Sequence, residues 1–288
     1  MECPICENKE FKKLPLIQEV SRYTKITHNL FKCQNCELVM PYPKPYEDKE
    51  KLKIYDSPDN IKFFNKKLND LDYNSKEYKY YFKHFRPFID LIRKYKIKGK
   101  SLDIGCGGGH LLKLLSENNF KAEGIEITDK LVKALNKKYK VYLAELGDKK
   151  LKQKYDLLTA SQVIEHISDP NKFVQEMNKL LKKKGYVIIS TPYLNGLVPK
   201  ILRTKWYGLG YGQHLNFFSP KNLEILFKKN GFEILEFKIL IVDYSHPKFP
   251  RILNLITESI SKIIVSIGMG DNLFMVARKI RNIKELQK

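Results

Sequence analysis

Beyond residue 99 the apolar positions switch repeatedly between two periods. Short runs at 101–104, 122–127, 141–143, 155–160, 186–191, 232–242 and 272–278 predict strands. Segments with apolar residues three and four apart, at 110–118, 130–138, 170–182, 220–229 and 250–267, predict helices between them. Such β and α alternation predicts an α/β fold, a doubly wound, Rossmann-like sheet with helices on both faces. The preceding stretch, 46–98, reads as helical and aromatic through Phe63, Phe64, Leu68, Leu71, Tyr78, Tyr81, Phe82 and Phe85. Pro87 is expected to begin a new helix carrying Phe88, Leu91, Ile92 and Tyr95. This segment is expected to form a helical cap, packed as core or lying over the mouth of a site. Strand character shows in 1–45 at 23–27 and 30–32, and Pro41, Pro43 and Pro45 end that unit in an extended linker.

The 288 residues suffice for one domain of ordinary size and a smaller unit beside it. No apolar run is long enough to cross a bilayer, and no charged start followed by an apolar stretch marks a secretory signal. A cytoplasmic protein is the expectation. The formal net charge of +21 raises nucleic acid or an anionic membrane as partners. Yet the charge is nearly all Lys, spread through every segment, whereas bidentate phosphate or base readout prefers Arg. The charge therefore reads as composition more than as a binding stripe.

Cysteine spacing adds chemistry. Cys3-Pro4-Ile5-Cys6 and Cys33-Gln34-Asn35-Cys36 are two CxxC knuckles, and two thiolates from each complete a tetrahedral site of the kind zinc fills. A unit of about this size buries too little apolar surface to fold alone, so a structural zinc ion would supply the missing stability. A redox CxxC is the alternative, but no βαβ pattern surrounds either pair.

A second motif follows the first predicted strand of the main domain. Asp103 ends the strand, Gly105, Gly107 and Gly109 follow, and a helix opens at once. Glycines let the backbone turn tightly against a ligand, and a helix N-terminus offers unpaired N–H groups. The turn by itself also fits nicotinamide dinucleotides. Two carboxylates separate the readings. Asp103 would repel a pyrophosphate but suits a cofactor carrying an ammonium group. Glu126, at the end of the next strand, can accept both hydroxyls of a ribose.

The run Leu102-Asp103-Ile104-Gly105-Cys106-Gly107-Gly108-Gly109 resembles the first motif of the class I S-adenosylmethionine-dependent methyltransferases, and Gly124-Ile125-Glu126 their acidic second strand end. Residues 155–158 and 162–170 are similar to their fourth strand and its loop, and 180–192 to the helix, glycine and fifth strand that follow. His214, Phe218-Ser219-Pro220 and Lys229-Asn230-Gly231-Phe232 are similar to the ubiquinone-biosynthesis O-methyltransferase type. The resemblance implies a methyltransferase domain over 99–280, after a zinc-ribbon-like unit at 1–45 and the cap at 46–98, with a tail at 281–288. It implies an enzyme, EC 2.1.1.-, whose cofactor S-adenosyl-L-methionine is lined by Asp103, Gly105, Cys106, Gly107, Glu126, Ile127, Glu145, Leu146 and Gln162. Cys106 suits packing at a small motif position, and the match at Glu145 is loose, because Ala144-Glu145 replaces a Gly-Asp pair. Zinc knuckles joined to such a domain resemble methyltransferases of glycan and natural-product pathways.

Methyl transfer to a hydroxyl needs positioning and removal of one proton. His166, after the fourth strand, and His214, in a Gly-rich aromatic loop, are the candidate catalytic residues. Some relatives hold a divalent cation through Glu-x-x-Glu-His and a later His. Here Gln162 stands at the first of those positions, leaving Glu165, His166 and His214 as a reduced site. Tyr193, Trp206, Tyr207, Tyr211 and Phe217 are candidates to frame an acceptor pocket, or else to pack as core. Ile252, Ile256, Ile260, Ile263 and Ile267 form a stripe expected to pack on the sheet or a second subunit, or to touch a membrane carrying a lipid-linked acceptor. The expected reaction is methylation of a small-molecule or glycan hydroxyl, in cell-surface polysaccharide or secondary-metabolite synthesis. The alternatives are an RNA methyltransferase, which the scarcity of Arg opposes, and a non-catalytic zinc-binding scaffold.

Overall fold

The computed structural model describes residues 1–21, 25–46, 50–55, 57, 76–241 and 251–283. The expectations for Phe63, Phe64, Leu68 and Leu71, for the end of the strand at 242 and for the last residues of the tail lie outside these, as do the side chains of Tyr78, Tyr81, Tyr211, Ile252 and Ile256.

The N-terminal unit is a three-stranded antiparallel sheet, β1 (Phe11–Val20), β2 (Thr27–Cys33) and β3 (Val39–Tyr42), in that order. Its two knuckles repeat one local geometry. Cys3 accepts a hydrogen bond from the Glu7 amide at 2.9 Å, and Cys33 from that of Glu37 at 3.1 Å, with both glutamates at positive φ. Of the predicted strand at 23–27, Tyr23 and Thr24 lie outside the described residues, and the remainder is corrected. Pairing begins at Thr27, and the backbone reverses at Lys25, whose φ is 58°. Strand β1 was not foreseen, because Pro15 lacks an amide hydrogen and Lys residues interrupt the apolar pattern. The ladder absorbs this as a register shift between Lys13 and Gln18.

Helices α1 (Lys51–Tyr55) and α2 (Lys76–Lys94) precede the main domain. Pro87 does not start a helix but lies inside α2. The proline removes one hydrogen bond, to the carbonyl of solvent-exposed Lys83, where water can replace it. Continuation is favoured because Phe88, Ile89, Leu91 and Ile92 beyond the proline are all buried against Leu111, Leu114 and Leu115.

The main sheet has seven strands, β4 (Lys100–Ile104), β5 (Lys121–Glu126), β6 (Lys140–Leu143), β7 (Tyr155–Ser161), β8 (Leu181–Pro192), β9 (Phe232–Leu240) and β10 (Asn272–Lys279), ordered β6-β5-β4-β7-β8-β10-β9. Pairing is parallel from β6 to β8, and β10 runs antiparallel between β8 and β9. Helices α3 (His110–Glu117), α4 (Asp129–Leu135), α5 (Pro170–Leu180), α6 (Leu197–Leu202), α7 (Pro220–Lys229) and α8 (Arg251–Ser266) connect these strands. Alternate residues of the central strands feed opposite cores. Val187, Ile189, Leu273 and Met275 join Phe173, Val174 and Met177 of α5 and Leu223, Leu226 and Phe227 of α7. Ile188, Phe274 and Val276 join α2 and α3 on the other face. The doubly wound expectation therefore holds.

Local chemistry fixes several ends. Asp169 caps α5, accepting from the Lys172 amide, with Pro170 at the first turn. Ser219 and Asn222 form a reciprocal cap on α7. Of the settings expected for the isoleucine stripe of α8, packing on the sheet is not seen among the described residues. Ile260, Ile263 and Ile267 are 51–64% exposed and do not pack on the sheet. No helix among the described residues is long and apolar enough to cross a membrane.

Candidate active site

Strand order reverses between β4 and β7, and ligands of open parallel sheets bind at the carboxyl ends of the strands at such a point. Asp103, the penultimate residue of β4, lies buried there, and Thr159 of β7 donates a hydrogen bond to its carboxylate at 2.7 Å. Burial pushes the Asp103 carboxyl up to about 7, and the charge of nearby Glu126 adds to the rise. Gly105 and Gly107 follow at φ of 63° and 51°, a conformation that L side chains rarely adopt. Gly105 is exposed, and a Cβ built on Gly107 would meet no atom closer than 3.9 Å. The turn thus presents bare backbone to an open space.

Glu126, at the tip of β5, forms the other wall. Its carboxylate accepts from the amides of Gly107 at 3.0 Å, Ile127 at 2.9 Å and Thr128 at 3.1 Å. These three bonds leave about one acceptor position open, since a carboxylate offers roughly four. Thr128 Oγ1 nearby is buried and has no hydrogen-bond partner among the described residues. Two buried carboxylates beside an open glycine turn favour a ligand that is cationic at one end and rich in hydroxyls at the other. S-adenosylmethionine meets that description, and a pyrophosphate does not.

Cys106 is placed differently. Its sulfur lies 2.9 Å from where a Gly124 Cβ would stand, and the side chain packs with Leu112, Val132, Leu135 and Val141. Burial holds its thiol well above the usual range. It shapes the turn from beneath. Ile127 is half-buried next to Glu126, while Glu145 is exposed and Leu146 half-buried in the loop after β6. Gln162, past β7, sits at φ 56° and donates its side-chain amide to Ser190 and Asn272 at 3.3 and 3.2 Å. A non-glycine residue held there stores backbone strain at the strand end.

The second half of the site is assembled from distant segments. Glu165 is fully buried, and Thr191 of β8 donates to one carboxylate oxygen at 3.0 Å. The other oxygen, Oε1, has no partner among the described residues, and burial pushes the carboxyl up to about 8. The Glu165 carbonyl accepts from the amides of Leu215 at 2.7 Å and Asn216 at 3.1 Å, and Asn216 also donates to the Ile167 carbonyl at 2.7 Å. These bonds carry His214 to His166, with ring centroids 4.7 Å apart. Glu165, His166 and His214 each bring a ligand atom within 4.8 Å of the others.

Both imidazoles have a defined tautomer. His166 Nδ1 lies 3.0 Å from the Gln213 carbonyl, and His214 Nδ1 lies 2.9 Å from that of Gly208. A carbonyl only accepts, so each Nδ1 carries a hydrogen, and the uncharged His214 ring keeps its lone pair on Nε2. Burial and the neighbouring His166 hold the His214 pKa well below its ordinary value.

Among the aromatic candidates, Trp206 and Phe217 are buried in one cluster with Leu30, Val39 and Leu209, so they are core. Tyr207 is 40% exposed, and its hydroxyl and the Trp206 indole both donate to buried Asp271, at 3.2 and 3.4 Å. Sequence reasoning missed Thr159 and Thr191, although each stands out as a polar residue within an apolar strand. It also missed Tyr46, whose hydroxyl donates to the Gln213 carbonyl at 3.0 Å, and no local pattern marked it.

At the N-terminal unit, the Cys3–Cys36 and Cys6–Cys33 sulfurs lie 3.4 and 3.6 Å apart, and all four lie within 4.8 Å of one another. A tetrahedral zinc–thiolate site has sulfur–sulfur edges of about 3.8 Å, whereas a disulfide needs about 2.05 Å. The four thiols are free, and their spacing fits the ion.

Comparison with known proteins agrees with this geometry. Residues 74–236 match the family model described as a methyltransferase domain. A ubiquinone biosynthesis O-methyltransferase of Pelagibacter ubique is 30% identical over 169 residues, covering 50% of this chain and 69% of the relative. One of Nitrosospira multiformis is 28% identical, covering 52% and 68%. The fold is similar to that of magnesium protoporphyrin IX methyltransferase from Synechocystis PCC 6803, solved with bound SAH, at a TM-score of 0.56 and 16% identity over 81% of this chain and all of that one. With more than half of its length inside the family model and a cradle suited to a cationic nucleoside, the chain belongs to the methyltransferase-domain family and is an S-adenosylmethionine-dependent methyltransferase.

Proposed function

We propose that the chain methylates a hydroxyl of a small-molecule acceptor, with His214 as the general base. The observation that carries this reading is the His214 tautomer. Its Nδ1 hydrogen is committed to the Gly208 carbonyl, so the Nε2 lone pair is available at the carboxyl edge of the sheet. A depressed pKa keeps the ring neutral at pH 7, the state a base must start from. The relatives named as O-methyltransferases support a hydroxyl acceptor.

In this reading Asp103, Gly105 and Gly107 hold the methionine end of the cofactor. Glu126 holds its ribose, and Ile127 and the 145–146 loop lie toward the adenine. When bound, S-adenosylmethionine supplies an electrophilic methyl carbon on a cationic sulfur. Asp103 and Glu126 balance that positive charge in a buried setting. His214 Nε2 accepts the acceptor's hydroxyl proton, and the Gly208 carbonyl orients the resulting imidazolium. Glu165 gives up its own proton more readily once that positive charge arrives within 4.8 Å. The test is calorimetric titration with S-adenosylmethionine and its demethylated product, followed by mass-spectrometric screening of catechols, phenols and sugars as acceptors. Micromolar cofactor binding with methylation of a phenol or catechol is the expected result. Methylation confined to amines or RNA would overturn the reading.

One observation favours a second reading of the same residues, which is the unpartnered, buried Glu165 Oε1 beside two imidazoles of fixed tautomer. One carboxylate and two histidines suit a first-row transition ion better than magnesium. Glu165, His166 and His214 would hold it, and it would supply acidity to the acceptor oxygen. Retention of full activity after chelation would reject it. The Cys3, Cys6, Cys33 and Cys36 sulfurs are assigned a structural zinc ion, testable as one zinc per chain by elemental analysis. The division at residues 45 and 98 into ribbon, cap and methyltransferase domain belongs to the same reading.

A further inference from the structure

The four-cysteine unit lies against the loop that carries His214. Val39, three residues after Cys36, exchanges backbone hydrogen bonds with Phe217 at 2.8 and 3.3 Å. Leu30 of β2 and Val39 of β3 share one buried cluster with Trp206, Leu209 and Phe217. The Ser21 side chain occupies the space a Gly212 Cβ would need, at 2.5 Å, and Gly212 stands at φ 87°. Tyr46, just beyond the unit, donates to the Gln213 carbonyl, whose oxygen also receives His166 Nδ1. Trp206, Leu209, Gly212, Gln213 and Phe217 are thus gripped from the N-terminal side. On its other side the loop is pinned by the Glu165 carbonyl.

From this we propose that the zinc-binding unit is an internal brace that positions the catalytic loop, so that its metal governs the placement of His214 and leaves cofactor binding untouched. The path is short and physical. The Cys33–Cys36 knuckle joins β2 to β3, with the Cys33 amide donating to the Leu38 carbonyl at 2.8 Å. Its geometry therefore sets the register of Val39, and Val39 sets Phe217, three residues from His214. The cofactor cradle is tied elsewhere. Asp103 and Glu126 are held by Thr159, Gly107, Ile127 and Thr128, all within the main domain. The inference rests on zinc occupying the four sulfurs and on His214 in the role given above.

The test uses the full chain, before and after zinc is withdrawn with a chelator and then restored. Hydrogen–deuterium exchange is read by mass spectrometry, and S-adenosylmethionine affinity by calorimetry. We expect exchange over 206–217 to rise about tenfold or more and to reverse on zinc addition. Exchange over 103–128 should stay constant, and the cofactor Kd should stay within twofold. Unchanged protection of 206–217 in demonstrably zinc-free protein would overturn the brace, as would parallel loss of both regions and of cofactor affinity. Tyr46→Phe keeps the sulfurs intact and serves as the second arm. It should lower kcat severalfold, with cofactor Kd unchanged, and should weaken the protected Nδ1–H resonance of His166 by NMR. Wild-type turnover and resonance in Tyr46→Phe would reject Tyr46 as a positioning residue and, with it, the brace. A folded protein that neither contains nor takes up zinc would overturn the proposal at its metal, whatever Tyr46→Phe shows.

Discussion

The two halves of the site differ in how they are built. The cofactor side, Asp103 to Thr128, is one continuous βαβ passage whose key contacts span 56 residues at most. The base side draws on Tyr46, Glu165, His166, Thr191 and the 206–217 loop, with Tyr46 and Gln213 separated by 167 residues. The cofactor side holds two buried carboxylates beside an open glycine turn. The base side holds a carboxyl and a His214 imidazole that burial keeps uncharged, with His166 half-buried beside them. A contiguous turn can form from local geometry with few partners. An assembled loop depends on everything packed around it, so the two halves should fail in different ways.

The sharpest separation comes from His214→Ala. Loss of a general base costs about 10²–10⁴ in rate, so kcat should fall over that range, while calorimetry finds the cofactor Kd unchanged. Equal losses in both would erase the distinction between the halves. Glu126→Ala should do the reverse at about 10–100-fold in cofactor affinity, the loss of one charge-assisted hydrogen bond. It should also lower stability by about 1–3 kcal/mol, because the amides of Gly107, Ile127 and Thr128 lose their acceptor.

Acidity sharpens the comparison further. Asp103 must be ionised to balance a cation, and its carboxyl titrates at about 7. Cofactor affinity should therefore fall about tenfold from pH 8 to pH 6, whereas the uncharged-sulfur product should respond less. The stability of the cofactor-free protein runs the other way. A raised carboxyl favours the folded state at low pH, and this contribution is lost as pH rises through about 7. Asp103→Asn should consequently raise the melting temperature at pH 8 while abolishing the pH dependence of binding. The smallest effect belongs to Lys221→Ala. Its exposed pair with Glu37 links α7 to the cysteine unit at 3.2 Å, and its loss should cost less than about 0.5 kcal/mol in a denaturant melt.

The sequence was most legible where the physics is local. The glycine turn needs positive φ, Pro170 and Pro220 open helices, and apolar runs buried on both faces announce parallel strands. Element bounds such as Pro220–Lys229 came directly from those signals. Strand β1 and the unbroken α2 were not legible, because a single proline outweighs its surroundings in a pattern but not in a packed structure. The isoleucines of α8 mark the limit from the other side, since periodicity reveals a face but not what covers it.

By itself, then, the sequence determined the doubly wound sheet, the glycine turn with its flanking carboxylates and the four-sulfur cluster, each set by spacing along one stretch or two. Only the tertiary structure decided which nitrogen of His214 carries the hydrogen, that Glu165 is neutral near pH 7, and that the cysteine unit grips the loop carrying His214. Those properties depend on burial and on carbonyls supplied from elsewhere in the chain, and desolvation is a sum over neighbours that no local pattern contains.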